Sequence, residues 1–170
     1  MPGQLLSNRF LDTTGHSDAQ WAKLAPQLHE EFAGQWSLDP RDAQSARASL
    51  RHVSPTAIPI YALFRMPDRN WMPYTVRCRD LSEAGVGLYH GSYMHPDTRC
   101  YILFKRQGKS DKILGRVKHC ALVSGKIHLM GVSFDSPIDL KTYLPLLNSA
   151  TQRTDVSDSV VGMIHNEDAA

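Results

Sequence analysis

The sequence predicts a mainly β domain flanked by helix, and three observations predict it. Between about residues 47 and 135 the chain is rich in β-branched and aromatic residues broken by turn clusters. The segment before it carries apolar residues at helical spacing, and so does the segment after it. The 170 residues are 42% hydrophobic, enough for one buried core.

In the first segment, Ser17 followed by Gln20 is a capping-box pattern. Trp21, Leu24, Leu28 and Phe32 then share one helical face. Pro26 lies inside this stretch, removes a backbone donor and crowds the preceding turn. The expectation is a kink or two short helices ending near Gly34, with a further short helix starting at Asp39-Pro40. Candidate strands follow at 56–65, 71–79, 85–89, 99–106, 112–123 and 126–134. Turn signals separate them at 67–70, at 107–111 and at Ser124-Gly125. Six consecutive short strands at this spacing predict a small antiparallel barrel or sandwich. Ser136-Pro137 then starts a helix whose apolar face is Leu140, Tyr143, Leu144 and Leu147. The chain therefore divides into a helical extension over 1–46, a β domain with its C-terminal helix over 47–148, and a disordered tail over 149–170.

Composition narrows the function. A net charge of +2 gives no strongly basic stripe, so a nucleic-acid polymer is not expected as a partner. Cys78, Cys100 and Cys120 form no C-x-x-C pair and are odd in number, which argues against a disulfide framework or a zinc site and for half-buried thiols in a reducing compartment. No signal-peptide run is evident, and no segment approaches the ~18 apolar residues of a membrane span, so a cytoplasmic location is expected. The eight histidines make no H-x-x-x-H or H-E-x-x-H, and G-x-S-x-G and phosphate-loop patterns are absent from the sequence. The chain is expected not to be an enzyme, and no metal or cofactor is expected.

Two motifs carry recognition chemistry. Arg47-Ala-Ser-Leu-Arg51 presents two guanidinium forks, each able to grip phosphate oxygens in pairs or the O6/N7 edge of guanine. Asp80-Leu-Ser82-Glu-Ala-Gly85 offers a carboxylate that suits the adjacent N1–H and N2 donors of guanine, a small hydroxyl, and a glycine that permits positive φ and close ligand approach. Alone, each motif is common, and the acidic one reads equally as a turn bonding its own backbone.

Together, R-x-x-x-R followed about thirty residues later by D-L-S-x-x-G resembles the paired signature of PilZ domains. Gly115-Arg-Val117 and Gly131-Val-Ser-Phe134 resemble the G-x-V and G-h-x-F strands of that family in the same order. The resemblance covers about residues 47 to 135. It implies a six-stranded antiparallel β-barrel that binds the bacterial second messenger cyclic di-GMP, with Arg47 and Arg51 on phosphate and a guanine edge, Asp80 and Ser82 on a guanine, and Gly85 shaping the turn. Two departures matter. Ala46 stands where some members carry an extra arginine, which implies one nucleotide per chain, although Arg41 lies upstream as a substitute. His119 stands where some members stack an aromatic on the ligand. Arg77, Arg79 and Arg116 are expected near the mouth as added positive potential. The resulting expectation is a receptor that signals to an unidentified protein partner by ligand-induced ordering of residues 47–51. The alternatives are a protein-interaction adaptor whose barrel no longer binds nucleotide, using the Trp21–Phe32 face or the tail, and an RNA-binding barrel.

Overall fold

The computed structural model describes residues 10–32 and 51–147. In chain order the elements are β1 (Leu11–Asp12), α1 (Asp18–Glu31), β2 (His52–Val53), β3 (Pro59–Arg65), β4 (Trp71–Leu81), β5 (Gly85–His90), β6 (Arg99–Arg106), β7 (Lys109–Ser124), β8 (Ile127–Phe134) and α2 (Leu140–Leu147). The helix expected from Asp39, the helix end at Gly34, Arg41, Ala46, Arg47 and the tail over 149–170 lie outside the described residues.

Strands β3, β6, β7, β8, β5 and β4 pair in that order, all antiparallel, and β4 returns to pair β3. The six-stranded sheet thus closes into a barrel in which each of these strands has a paired neighbour on both sides. Alternation along the strands decides what lies inside: Ile60, Ala62 and Phe64 from β3, Ile102 and Phe104 from β6, Met130 and Val132 from β8. Cys78 and Cys100 sit in the same interior, fully buried rather than half-buried, and only Cys120 is intermediate. Burial pushes the Cys100 thiol up to about 12, so the two interior cysteines behave as small apolar residues. Helix α2 covers one end of the barrel, burying Leu147 and packing Leu140, Tyr143 and Leu144 on the core.

All six expected strands form, with shifts at their ends. β7 starts at Lys109 because the hairpin turn is only Gln107-Gly108, both at positive φ, the geometry that matches the strand twist. The last turn is Gly125-Lys126, since Ser124 still pairs with Ile127. Helix α2 begins at Leu140, where the Asp139 carboxylate accepts from the Thr142 hydroxyl at 3.1 Å; Ser136-Pro137 precede it as irregular chain. Strands β1 and β2 had no sequence signal, being two residues each and formed only because β4 offers unpaired backbone to them.

The capping box of α1 forms, with Gln20 N–H donating to Ser17 Oγ and Ser17 N–H to the Gln20 side chain. The helix is continuous from Asp18 to Glu31 through Pro26, so the expected alternative of two short helices does not form. Pro26 and Ala22, whose carbonyl loses its partner, both lie on the exposed side, open to solvent. The buried face of Trp21, Ala25 and Leu28 holds both halves against Ala57, Tyr89, Ile127 and Leu129 on the outside of the barrel.

Arg77 locks this arrangement. It is 4% exposed, lies 2.7 Å from Asp18 and 3.4 Å from Asp12, and sits against the Trp21 ring. Its charge is therefore spent on β1 and α1 and is not added potential at a ligand mouth. His90 is fully buried against Phe64 and Tyr74, near enough for Nδ1 to bond Thr13 Oγ1 at 3.3 Å. Burial lowers its pKa from 6.5 to about 4. A histidine favoured neutral in the fold contributes stability that is full above the unfolded value and lost as pH falls from 6.5 towards about 4. We expect His90→Phe to reduce the loss of unfolding free energy between about pH 7 and about pH 4 by roughly 3 kcal/mol, read from urea titrations. Equal acid losses in the two proteins would reject His90 as the sensitive group.

Candidate functional site

Two interruptions of strand pairing build the site. The register of β4 against β5 shifts between Cys78 and Asp80, and that of β7 against β8 shifts between Val117 and His119. Cys78 and Leu81 both point into the core, so Arg79 and Asp80 fall side by side on the outer face. Val117 and Cys120 do the same on β7, which places Lys118 and His119 together outside. Between these strands lie two cross-strand glycines, Gly87 of β5 opposite Gly131 of β8. One row thus runs Val53, Asp80, Gly87, Gly131, His119 across five strands.

The missing side chains of this row are occupied by neighbours. A methyl group at Gly87 would lie 2.5 Å from Asp80 Oδ1, and one at Gly131 would lie 2.6 Å from His119 Cε1. The carboxylate and the imidazole therefore rest on glycine backbone from opposite sides. Gly85 serves differently from the expectation. Its φ is not positive; a Cβ there would collide with the Val132 carbonyl, so the glycine is required by close strand approach.

Asp80 is 5% exposed and accepts a hydrogen bond from Gly87 N–H at 3.1 Å. Its other oxygen faces Arg51 at 3.8 Å and Arg79 at 4.0 Å. Arg79 is itself buried and donates to the Phe32 carbonyl at the C-terminal end of α1, where the helix dipole favours a cation. Arg51 is different: 44% of its side chain is exposed, and the ion pair is long. The Ser82 hydroxyl accepts from Gly85 N–H and donates to Gly85 O, so it is engaged within its own turn.

The segment that carries Arg51 is anchored just behind it. Ser54 N–H donates to the Arg79 carbonyl, and the Ser54 hydroxyl donates to the Leu147 carbonyl of α2. His29 of α1 lies 2.8 Å from Ser54 O through Nε2 and 2.7 Å from the Tyr89 hydroxyl through Nδ1. A carbonyl only accepts, so Nε2 carries the proton and neutral Nδ1 accepts from Tyr89. Burial, aided by Arg79, lowers the His29 pKa and favours this neutral form.

Of the residues singled out from sequence, Arg51, Asp80, Ser82, Gly85 and His119 gather on this face, and Arg47 lies outside the described residues. Arg116 is exposed and belongs to the neighbouring row through its pairing with Ser133, which pairs in turn with Gly85. Sequence reasoning missed Gly87, His29 and Tyr89, and it took Arg79 only as added positive potential, whereas Arg79 is buried against Asp80 and the end of α1. Gly87 had a usable signal, a glycine inside a strand, which marks close approach. Among the described residues, no group of three or more His, Cys, Asp or Glu side chains is placed to hold a metal ion, and no helix is long and apolar enough to cross a membrane. Comparison with protein-family models and with curated proteins finds no match to the chain.

The floor yields a stability test. Alanine at Gly87 must displace a short, buried, hydrogen-bonded carboxylate, whereas alanine at Gly131 meets the tip of the half-buried His119 ring, the far end of a longer side chain. Gly87→Ala should cost about 2 kcal/mol and Gly131→Ala under about 1 kcal/mol in chemical denaturation. Equal costs would mean that Asp80 is not held as rigidly as its contacts indicate.

Proposed function

We propose that this chain is a PilZ-type cytoplasmic receptor for cyclic di-GMP and works by binding, without catalysis. The observation that carries the reading is the approach of Arg51 to Asp80 at 3.8 Å over the glycine pair. These residues come from the two sequence motifs and meet at one spot on the outer barrel face.

The chemistry of the pair suits a guanine nucleotide. Asp80 Oδ1 is committed to Gly87 N–H but keeps a second lone pair, and Oδ2 faces outward to Arg51. A guanine presenting N1–H and N2–H finds both acceptors there. The Arg51–Asp80 pair is exposed on one side and long, a type worth at most about 1 kcal/mol, so the ligand displaces it cheaply. Arg51 is then released to a phosphate or to the guanine O6/N7 edge, and Arg47 joins it from the preceding segment. The glycine pair carries the Asp80 carboxylate on one side and the His119 ring on the other, and a planar base lies against these two groups.

Signal transmission follows from the anchoring of Ser54. Ordering of residues 47–51 over the nucleotide pulls on a segment joined to α1 through His29 and to α2 through Leu147. The output is a changed surface for a protein partner.

Titration calorimetry with cyclic di-GMP tests this. We expect a Kd near micromolar, about −8 kcal/mol. Arg51→Ala should weaken binding about thirtyfold, as for loss of a charge-assisted bond of about 2 kcal/mol. Asp80→Asn keeps an acceptor for Gly87 N–H but removes the charge beside buried Arg79, so it should fold with a lowered melting temperature and lose binding to a similar degree. No heat with the natural chain would favour the adaptor reading, in which the barrel serves protein contact alone.

A further inference from the structure

We infer that Arg116 and Lys118, with Arg99 beside them, form a second phosphate-contacting wall of the site, opposite Arg51. The inference rests on the nucleotide-receptor reading above and adds residues to it that neither sequence motif contains.

Arg99 of β6 and Arg116 of β7 are direct cross-strand partners, and both are exposed. Like charges directly opposite each other destabilise a sheet, so the pairing costs energy that some other contact must recover. Among the described residues no carboxylate recovers it. Among the described residues, Arg99, Arg116 and Lys118 form no ion pair. Asp97 is held close by the hydrogen bond from its N–H to the Val117 carbonyl, yet it pairs with none of the three.

Position ties this wall to the floor. The row of Arg99 and Arg116 continues through Ser133 to Gly85, the glycine that closes the acidic turn. The shift between Val117 and His119 puts Lys118 on the same outer face, where regular alternation allows only one of the two residues outside. The floor is thus bordered by Arg51 and Asp80 on one side and by Arg116 and Lys118 on the other. Three strand spacings, roughly 14 Å, separate β4 from β7, and long side chains reach inward from both borders. A ligand bearing two phosphodiesters has a cation for each end. A ligand with a single anionic group uses Arg51 alone.

The test is calorimetry of the full chain with cyclic di-GMP at low and moderate salt. The proteins compared are the natural one, Arg51→Ala, the double variant Arg116→Ala/Lys118→Ala, and the charge-matched control Lys23→Ala/Lys141→Ala, whose lysines are exposed on the two helices. Thermal melts check that each is folded. The expected result is at least about tenfold weaker binding in the Arg116/Lys118 double variant, the loss of a charge-assisted contact. Its salt dependence should be shallower than that of the natural protein, and the control should be unchanged in both respects. Unchanged affinity in the Arg116/Lys118 variant, or an equal loss in the control, overturns the second wall. If Arg51→Ala still abolishes binding in that case, the receptor reading stands without it. Absence of binding by the natural protein overturns the receptor reading and this inference with it.

Discussion

A carboxylate taken out of water must be neutralised or hydrogen-bonded, and Asp80 is the residue around which the outer face of this barrel is arranged. Its oxygens meet Gly87 N–H, Arg79 and Arg51. Each partner has a different consequence. Gly87 must lack a side chain for the bond to form. Arg79 ties the carboxylate to the end of α1 through the Phe32 carbonyl. Arg51 alone is exposed, so it is the partner whose departure leaves the fold intact.

The two faces of the barrel wall divide the work. Inside, apolar side chains from all six strands and α2 make one continuous core. Outside, α1 buries a second cluster on β5 and β8, and the Asp80–His119 row lies immediately beside it. Tyr89 joins the two: its ring stacks on Trp21 and His29, and its hydroxyl bonds His29. Because His29 also holds Ser54, displacement of the arginine segment and displacement of the helix are mechanically linked. The link is made of a few neutral hydrogen bonds, each worth about 1 kcal/mol.

The arginines show how residue type and residue role separate. Arg77, Arg79 and Arg116 read alike in the sequence. Arg77 is spent on Asp12 and Asp18 beneath Trp21, Arg79 on Asp80 and the helix end, and Arg116 faces solvent. Arg77 and Arg79 lie two residues apart on β4 and Arg116 on β7 across the barrel wall, but burial and pairing depend on what crosses over them, which is contributed by residues 10–32.

The sequence by itself determined whatever local periodicity and local bonding control. Alternation placed the six strands, Ser17 and Gln20 marked the start of α1, and the spacing of Leu140, Tyr143, Leu144 and Leu147 chose the face of α2, because each of these depends on residues within a turn or two. The tertiary structure decided the rest. Pro26 stays within one continuous helix because the barrel holds both of its flanks. Gly85 is a matter of strand approach and not of turn angle. The register shifts that set Asp80 beside Arg79 and His119 beside Lys118 arise from pairing between strands distant in the chain, and no local pattern encodes which residue of a strand is the extra one.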